Sequence, residues 1–589
     1  MGVCLLWFAL LTSAGEAAYW TYRTEIGFSE VLGRQYFWLL PMGYGVIYAC
    51  VGLAALTLSR TLHVGLSESR LVGACSFVMV SGWLFLQKGL SDLAGAVLAA
   101  GVAVQAGRMA ARFPLAARRV VDWTMPVMAA IVIGLAVGFS AWPRWVAHRA
   151  QEALQPPVSA SAPNVLLIVL DTVRAKSMSL YGYSRDTTPR LTAFAGRGVV
   201  FDRALSTSPW TLPSHGTMFT GRYPAELTAD FLSAIDDTHP TLAEAFAGAG
   251  YLTAGFVANT SFGGAEFGLG RGFLHYDDHP TSLRSAVMQT SFGSVLVTAT
   301  GLPRRLSPEA KFSRKSAAAI NRSFLRWLST RQSGRPFFAF LNYFDAHEPY
   351  RAPAAFMEKF GLSRPEGNIW SRSLLDWSPD QVRELNTAYD GTLAYLDDHV
   401  GRLLDELERL GDLDRTIVVI TSDHGEQFGE HDLLEHANSL YLPLLHVPLA
   451  MIYPSKLPAG VRVVTDVSLR DLPATILDVA GLGPQSRLPG RSLAALWRGE
   501  TAASLSPVLS EAHRITTRYP ESYPARKGRM RSIVVDGMHY ILNLGDGREE
   551  LYHLARDPDE LQDLGAKDTE RLSAYKDSIQ EALRRARQQ

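Results

Sequence analysis

Charge is divided so unevenly along this chain that it must fold in two solvents. Of the first 150 residues about 17 are Asp, Glu, Lys or Arg, against about 97 of the remaining 439. An apolar, charge-poor N-terminal quarter belongs in a bilayer, and the rest has the composition of a water-soluble domain. The 57 basic residues balance the 57 acidic ones, so net charge recommends no nucleic-acid partner. The three cysteines, Cys4, Cys50 and Cys75, all lie in the apolar part. The polar part therefore has no internal disulfide, thiolate metal site or cysteine nucleophile.

Within residues 1–150 the apolar stretches are Val3 to Thr12, Phe37 to Leu58, Leu71 to Leu86, Leu93 to Gly107 and Met125 to Trp142. Crossing about 30 Å of hydrocarbon takes about 20 residues, which the second and fifth stretches supply comfortably. With almost no internal charge, the set predicts a transmembrane region of about five helices. The first stretch also has the length of a signal-peptide core but lacks a basic flank. Arg108, Arg112, Arg118 and Arg119 crowd the loop before the last span, which places that loop in the cytoplasm. Alternation puts the Arg60 to Arg70 loop on the same side and the Arg23 to Arg34 and Lys88 loops outside. Everything after Trp142 is then extracytoplasmic, on the periplasmic side of a bacterial inner membrane. Residues 151–163, QEALQPPVSASAP, read as a linker.

The polar part alternates short apolar runs with helical patterns. Asn164 to Leu170 is an uninterrupted apolar run closed by Asp171, as suits a strand buried on both faces of a parallel sheet. Similar runs are Tyr251 to Val257, Pro336 to Phe344, Arg415 to Ser422 and Val447 to Tyr453. The clearest helix spans Asp380 to Leu410, where apolar residues recur every three or four positions. The class is α/β, a sandwich of helices on a sheet. Arg531 to Leu544 reads as a hairpin about Asp536-Gly537, within a small antiparallel subdomain that precedes a charged final helix. The domains expected are 164–500, the catalytic α/β unit, and 501–589, its C-terminal subdomain.

Ligand sites of parallel sheets lie beyond the carboxyl ends of the strands, and three runs end in chemistry-bearing residues. They are Asp171, then Asp345-Ala346-His347-Glu348-Pro349-Tyr350, then Ser422-Asp423-His424-Gly425. Singly, each has a structural alternative: Asp171 as a helix cap, Asp423 as a turn residue, His347 as a loop histidine. A fourth feature is Trp210-Thr211-Leu212-Pro213-Ser214-His215. Thr211 there is either an N-cap or, at a helix N-terminus that favours anions, a metal-bound alkoxide. Two carboxylates, a histidine and an alkoxide make a ligand set for a divalent ion.

In this order, Asn164 to Thr172, Thr211 to His215, His347-Glu348-Pro349-Tyr350 and Ser422-Asp423-His424-Gly425-Glu426 resemble the motifs of the sulfatase family within the alkaline phosphatase superfamily. The resemblance covers residues 164 to 560. It implies an alkaline-phosphatase-like α/β sandwich and a metal-dependent hydrolase or transferase. It further implies that Asp171, Thr211, Asp423 and His424 bind one divalent ion (Zn, Mn, Mg or Ca) and that Thr211 is the nucleophile. His347 and His436 would bind the anionic group, His436 standing where the family usually places a lysine, and His215 would assist. Catalytic sulfatases carry Cys or Ser at the nucleophile position, converted to formylglycine, followed two residues on by Pro and four on by Arg. Here the three positions hold Thr211, Pro213 and His215. Thr172 stands where a second metal-binding aspartate is usual. A Thr nucleophile, one metal and N-terminal spans together are similar to lipoteichoic acid synthases and lipid A phosphoethanolamine transferases. The expected chemistry is therefore attack by Thr211 on a substituted phosphate of an extracytoplasmic membrane lipid or anionic glycan. The alternatives are sulfate ester hydrolysis and a catalytically silent binding domain.

Overall fold

The computed structural model describes the chain except residues 26–35, 64, 66, 88, 153, 158, 160, 232, 280–282, 301–313, 332–333, 363–376, 484–486, 499–506, 517–518, 566–568 and 589. It divides into two compact units. One comprises residues 1–149 with 279–313, the other 150–278 with 314–589.

The N-terminal stretch of the first unit forms five helices: α1 (Gly2–Glu25), α2 (Tyr36–Thr61), α3 (Glu68–Phe85), α4 (Asp92–Arg112) and α5 (Pro114–Glu152). Four of them are long and apolar enough to cross a membrane, over Gly2–Arg23, Trp38–Thr61, Asp92–Arg112 and Pro114–Gly138. Of the about five spans expected, four qualify as candidates by length and composition. The exception is α3, 18 residues long with Glu68 and Arg70 in its first turn. Helix α1 runs far past the expected Thr12, because Thr12 and Ser13 return their hydroxyls to the carbonyls of Phe8 and Ala9, each at 2.6 Å. Ser67 and Ser91 cap α3 and α4 through the amides of Arg70 and Ala94. Phe8, Leu40, Tyr44, Tyr48 and Cys75 form the core of this unit. Arg34 and Lys88, which entered the orientation argument, lie outside the described residues, as do parts of the linker and the boundary at residues 500 and 501.

The second unit is built on a nine-stranded sheet. Its strands are β1 (Asn164–Leu170), β2 (Val199–Leu205), β3 (Leu252–Val257), β4 (His275–Asp277), β5 (Phe337–Tyr343), β6 (Thr416–Thr421), β9 (His446–Val447), β10 (Leu449–Ile452) and β11 (Val461–Ser468), with a separate pair β7 (Gln427–Phe428) and β8 (Leu434–Glu435). The order is β11-β2-β10-β6-β1-β5-β3-β4, with β9 against β2. Strands β6, β1, β5, β3 and β4 run parallel. The expectation of a parallel sheet fails at β10, which is antiparallel to both β6 and β2. The run expected from Val447 to Tyr453 is cut into β9 and β10 at Pro448, which has no N–H for a ladder.

Register sets the site. Leu170 lies beside Tyr343, and Val169 beside Thr421. Asp171, Phe344 and Ser422 therefore leave the sheet at one level. The long helix, Pro379–Arg409, begins with a capping box of Ser378 and Gln381 and lays Leu385, Tyr389, Leu393, Leu396, Val400 and Leu407 into the core. A four-stranded antiparallel sheet, β12 (Val508–Ala512), β13 (Met530–Val535), β14 (Met538–Asn543) and β15 (Glu549–His553), completes the unit. Its β13–β14 turn is Asp536-Gly537, both with positive φ (52° and 73°), as a two-residue type I′ turn requires. The final helix, Thr569–Ala586, covers this sheet with Ile579 and Leu583.

Candidate active site

Asp171 is carried off the end of β1, with its amide held by the Tyr343 carbonyl at 2.9 Å. Thr172 follows at φ 61°, a conformation that a β-branched residue adopts only when its surroundings impose it. Its amide is thereby turned to Asp423 Oδ1 at 3.2 Å, its hydroxyl to the Asp171 carbonyl at 2.7 Å, and its carbonyl accepts from Tyr389 at 2.8 Å. Asp423 leaves β6 in the same way, its carbonyl held by Ser214 Oγ at 2.7 Å.

Asp171, Asp423 and His424 are wholly buried, and a ligand atom from each lies within 4.8 Å of the others. Asp171 Oδ2 accepts from the amides of Asn259 at 3.0 Å and Asn342 at 3.4 Å. Asp423 Oδ1 accepts from the backbone of Thr172 and His424. Asp171 Oδ1 and Asp423 Oδ2 meet no hydrogen-bond donor among the described residues. Burial, followed by the charge of Asp423, pushes the Asp171 carboxyl well above the usual range. A dication removes both penalties, so the donor set fits one. His424 Nδ1 is 3.0 Å from the Gly425 carbonyl and donates to it, which turns the lone pair of Nε2 inward. Nε2 lies 3.4 Å from Asp423 Oδ2 and 3.4 Å from Thr211 Oγ1. Neighbouring ligands sit about 3.4 Å apart on a four-coordinate ion with bonds of about 2.1 Å, or on a six-coordinate one with bonds of about 2.4 Å.

Thr211 opens the helix Thr211–Thr220, and Trp210 before it is the N-cap, in extended conformation at φ −139°. The N-cap alternative for Thr211 is thereby removed, since it is the first helical residue with its hydroxyl turned to His424. Pro213 has no N–H to orphan in this first turn. Trp210 is stacked between Phe231, at 4.2 Å, and His436, at 5.4 Å.

The remaining predicted residues fall into two groups. His347 and His436 join the site: His436 is 4.7 Å from His424 and 4.9 Å from His347, ring centre to ring centre. His347 also stacks on Phe344 at 4.2 Å. His215 sits one turn into the helix, its Nδ1 donating to the Thr211 carbonyl at 2.8 Å, its ring against Phe340. Burial lowers its pKa, and Nδ1 is 3.6 Å from Asp423 Oδ2. It braces the helix start and Asp423 from behind.

Five residues carry no role in the sequence reading of the site: Asn259 and Asn342, outside its motifs, and Glu426, Ser214 and Trp210, within them. Glu426 Oε1 accepts from His436 Nδ1 at 2.9 Å. Its signal was its position two residues after His424, whereas Asn342 on β5 and Asn259 just past β3 lie far away in sequence and gave none.

The family model described as Sulfatase matches residues 163–482. The chain is 24% identical over 494 residues to arylsulfatase K of Bos taurus, covering 74% of this chain and 87% of that protein. It is 25% identical over 461 residues to choline-sulfatase of Rhizobium meliloti, covering 71% and 86%. Among solved structures, the phosphonate monoester hydrolase of Agrobacterium radiobacter superposes with a TM-score of 0.59 at 22% identity, covering 72% of this chain and 96% of that one. The phosphonate monoester hydrolase of Silicibacter pomeroyi gives 0.53 at 21% identity, covering 72% and 95%. At these identities the structures share the fold.

Proposed function

The chain belongs to the sulfatase family of the alkaline phosphatase superfamily and is a hydrolase by that membership; on that premise we propose that it is a membrane-anchored enzyme that opens substituted phosphates with Thr211 as nucleophile. The observation that carries the proposal is a threonine hydroxyl 3.4 Å from His424 Nε2, at a helix N-terminus, beside two buried carboxylates that face each other. A threonine at this position opposes the formylglycine route of sulfate ester hydrolysis, and names among the structural relatives include hydrolases of phosphonate monoesters.

Asp171, Asp423, His424 and Thr211 would hold the divalent ion, which when bound lowers the pKa of the Thr211 hydroxyl and neutralises charge on the substrate. Thr211 Oγ1 gives its proton to His347 or His436 and forms a bond to phosphorus while the bond to the leaving oxygen breaks. His347 and His436 hold the non-bridging oxygens, and one of them passes a proton to the leaving oxygen. Water or an acceptor alcohol then displaces threonine from the phospho-threonine and restores the hydroxyl. Asn259 and Asn342 fix Asp171, and His215 fixes the turn that presents Thr211.

The substrate proposed is a membrane lipid or anionic glycan outside the cytoplasm, in keeping with four candidate spans and the arginines that flank the α4–α5 junction. Intact mass after incubation with a labelled lipid extract tests the reaction. A substituted phosphate retained on residue 211 supports it, and formylglycine found there reinstates the sulfatase chemistry. C-terminal reporter fusions test the side: an active alkaline phosphatase fusion agrees, and a fluorescent but phosphatase-silent pair reverses it.

A further inference from the structure

The polar part of the chain returns to the membrane unit once. Residues 279–313 are grouped with the N-terminal helices, and the two helices Leu283–Met288 and Ser291–Thr300 are described there. The second, SFGSVLVTAT, carries no charge. Its first residue is gripped by a carboxylate of α1. Glu16 Oε1 accepts the Ser291 amide at 2.9 Å, and Oε2 accepts the Ser291 hydroxyl at 2.9 Å and the Tyr44 hydroxyl at 2.5 Å. The Ser291 hydroxyl is also 2.7 Å from the Gly82 carbonyl. A carboxyl group is thus set on an amide that a helix N-terminus leaves without an intrahelical partner. Glu16 and Tyr44 are buried.

The backbones also approach closely. A Cβ on Gly43 would lie 2.2 Å from the Ala286 carbonyl oxygen, and one on Gly82 would lie 2.8 Å from the Tyr44 hydroxyl that Glu16 holds. Small residues at such crossings are how helices pack when their surroundings are lipid. Glu16 in the C-terminal half of α1, Gly43 near the start of α2 and Gly82 near the end of α3 mark one end of the bundle. With α1 to α5 all crossing, it is the end opposite the arginines at the α4–α5 junction, the outside. Glu16 is seven residues inside Arg23, where the first candidate span ends, so the grip lies about 10 Å along the helix from that end. On the outer side of the two helices Leu283 and Leu296 are exposed, at 60% and 48%. In the catalytic sheet this excursion departs after Asp277, at the carboxyl end of β4, and β4, β3, β5 and β1 are parallel. That is the end which carries Asp171.

We infer that Leu283–Met288 and Ser291–Thr300 form a re-entrant membrane element whose apolar outer face meets the acyl layer of the bilayer, with Glu16 as its latch. The inference rests on the membrane reading proposed above. It is tested on the full chain in phosphatidylcholine vesicles with Cys4, Cys50 and Cys75 replaced by alanine, using a membrane-impermeant maleimide. Three single substitutions are compared: Leu296→Cys in the element, Val127→Cys in α5 and Val464→Cys, 72% exposed on β11. Val464→Cys reports fast labelling in water. Leu296→Cys and Val127→Cys label at least tenfold more slowly, and adding Glu16→Ala speeds labelling at Leu296→Cys at least threefold without changing Val127→Cys. Rapid labelling of Leu296→Cys with Val127→Cys protected overturns the inference alone. Rapid labelling of both overturns the membrane reading, and the inference with it.

Discussion

His436 Nδ1 donates to Glu426 Oε1 at 2.9 Å, with both side chains fully buried. The bond fixes which ring nitrogen carries the proton and leaves Nε2 as the nitrogen turned away from Glu426. On either side of His436, Glu435 and Ala437 are held at φ 67° and 68°, a conformation costing on the order of 1 kcal/mol or more at each. Ala437 is pinned by its amide to the Pro209 carbonyl at 2.9 Å. Such strain is retained where it aims a side chain.

Replacing Glu426 therefore acts through His436. Glu426→Ala should lower kcat by about 10- to 100-fold at unchanged metal content, and Glu426→Gln, which keeps an acceptor, by less. Steady-state kinetics with elemental analysis of the same samples check this. An unchanged kcat in folded Glu426→Ala would remove Glu426 from the mechanism.

Metal content should be about one divalent ion per chain, and Asp423→Ala combined with His424→Ala should abolish it. Because Asp171 and Asp423 face one another in a buried site, the ion stabilises the fold as well. At a hundred times its Kd it adds about 2.7 kcal/mol, which chelation removes. Asp171→Asn relieves the repulsion without an ion, so the chelated variant should melt no lower than the chelated wild type. Elemental analysis and calorimetry with and without chelator read both effects.

Asp397 supplies a pH dependence remote from the site. Its oxygens accept from the amides of Arg190 and Leu191 at 3.0 and 2.7 Å, at the start of the helix Pro189–Ala195. Burial nevertheless raises its pKa from 3.8 to about 6. A carboxyl with a raised folded-state pKa favours folding below its unfolded value, and that contribution is lost as pH rises through the folded value. Between pH 4 and pH 7 this group should therefore withdraw on the order of 3 kcal/mol. Denaturant melts across that window should show a steeper loss for wild type than for Asp397→Asn. Parallel curves for the two proteins would contradict the assignment.

Much of this architecture is written locally. NVLLIVL is buried along its whole length and forms β1, the helix expected at 380–410 forms at Pro379–Arg409, and Asp536-Gly537 makes the hairpin. Asp171, Asp423 and His424 were legible because they lie just past the ends of β1 and β6, and Thr211 because it opens a helix. Strand β2 was not, because Asp202 and Arg203 interrupt its apolar run at a half-buried stretch. Strand β11, VRVVTDVS, alternates exposed and buried residues near the sheet edge and lacks a continuous run as well. The direction of β10 depends on pairing with β2 and β6, which no local pattern encodes. Asn259 and Asn342 reach Asp171 across 88 and 171 residues of chain. The helices Leu283–Met288 and Ser291–Thr300 are short, and it is the grip of Glu16 on Ser291 that ties them to α1.

The central claim is that Thr211 attacks phosphorus, and it is tested most directly by phosphodiester turnover of Thr211→Ala and Thr211→Ser beside the wild type, each shown to be folded and metal-loaded. Loss of the attacking hydroxyl should cost several powers of ten in rate, while serine, which restores a hydroxyl at the first helical position, keeps measurable turnover. Folded, metal-loaded Thr211→Ala with near wild-type turnover would contradict it.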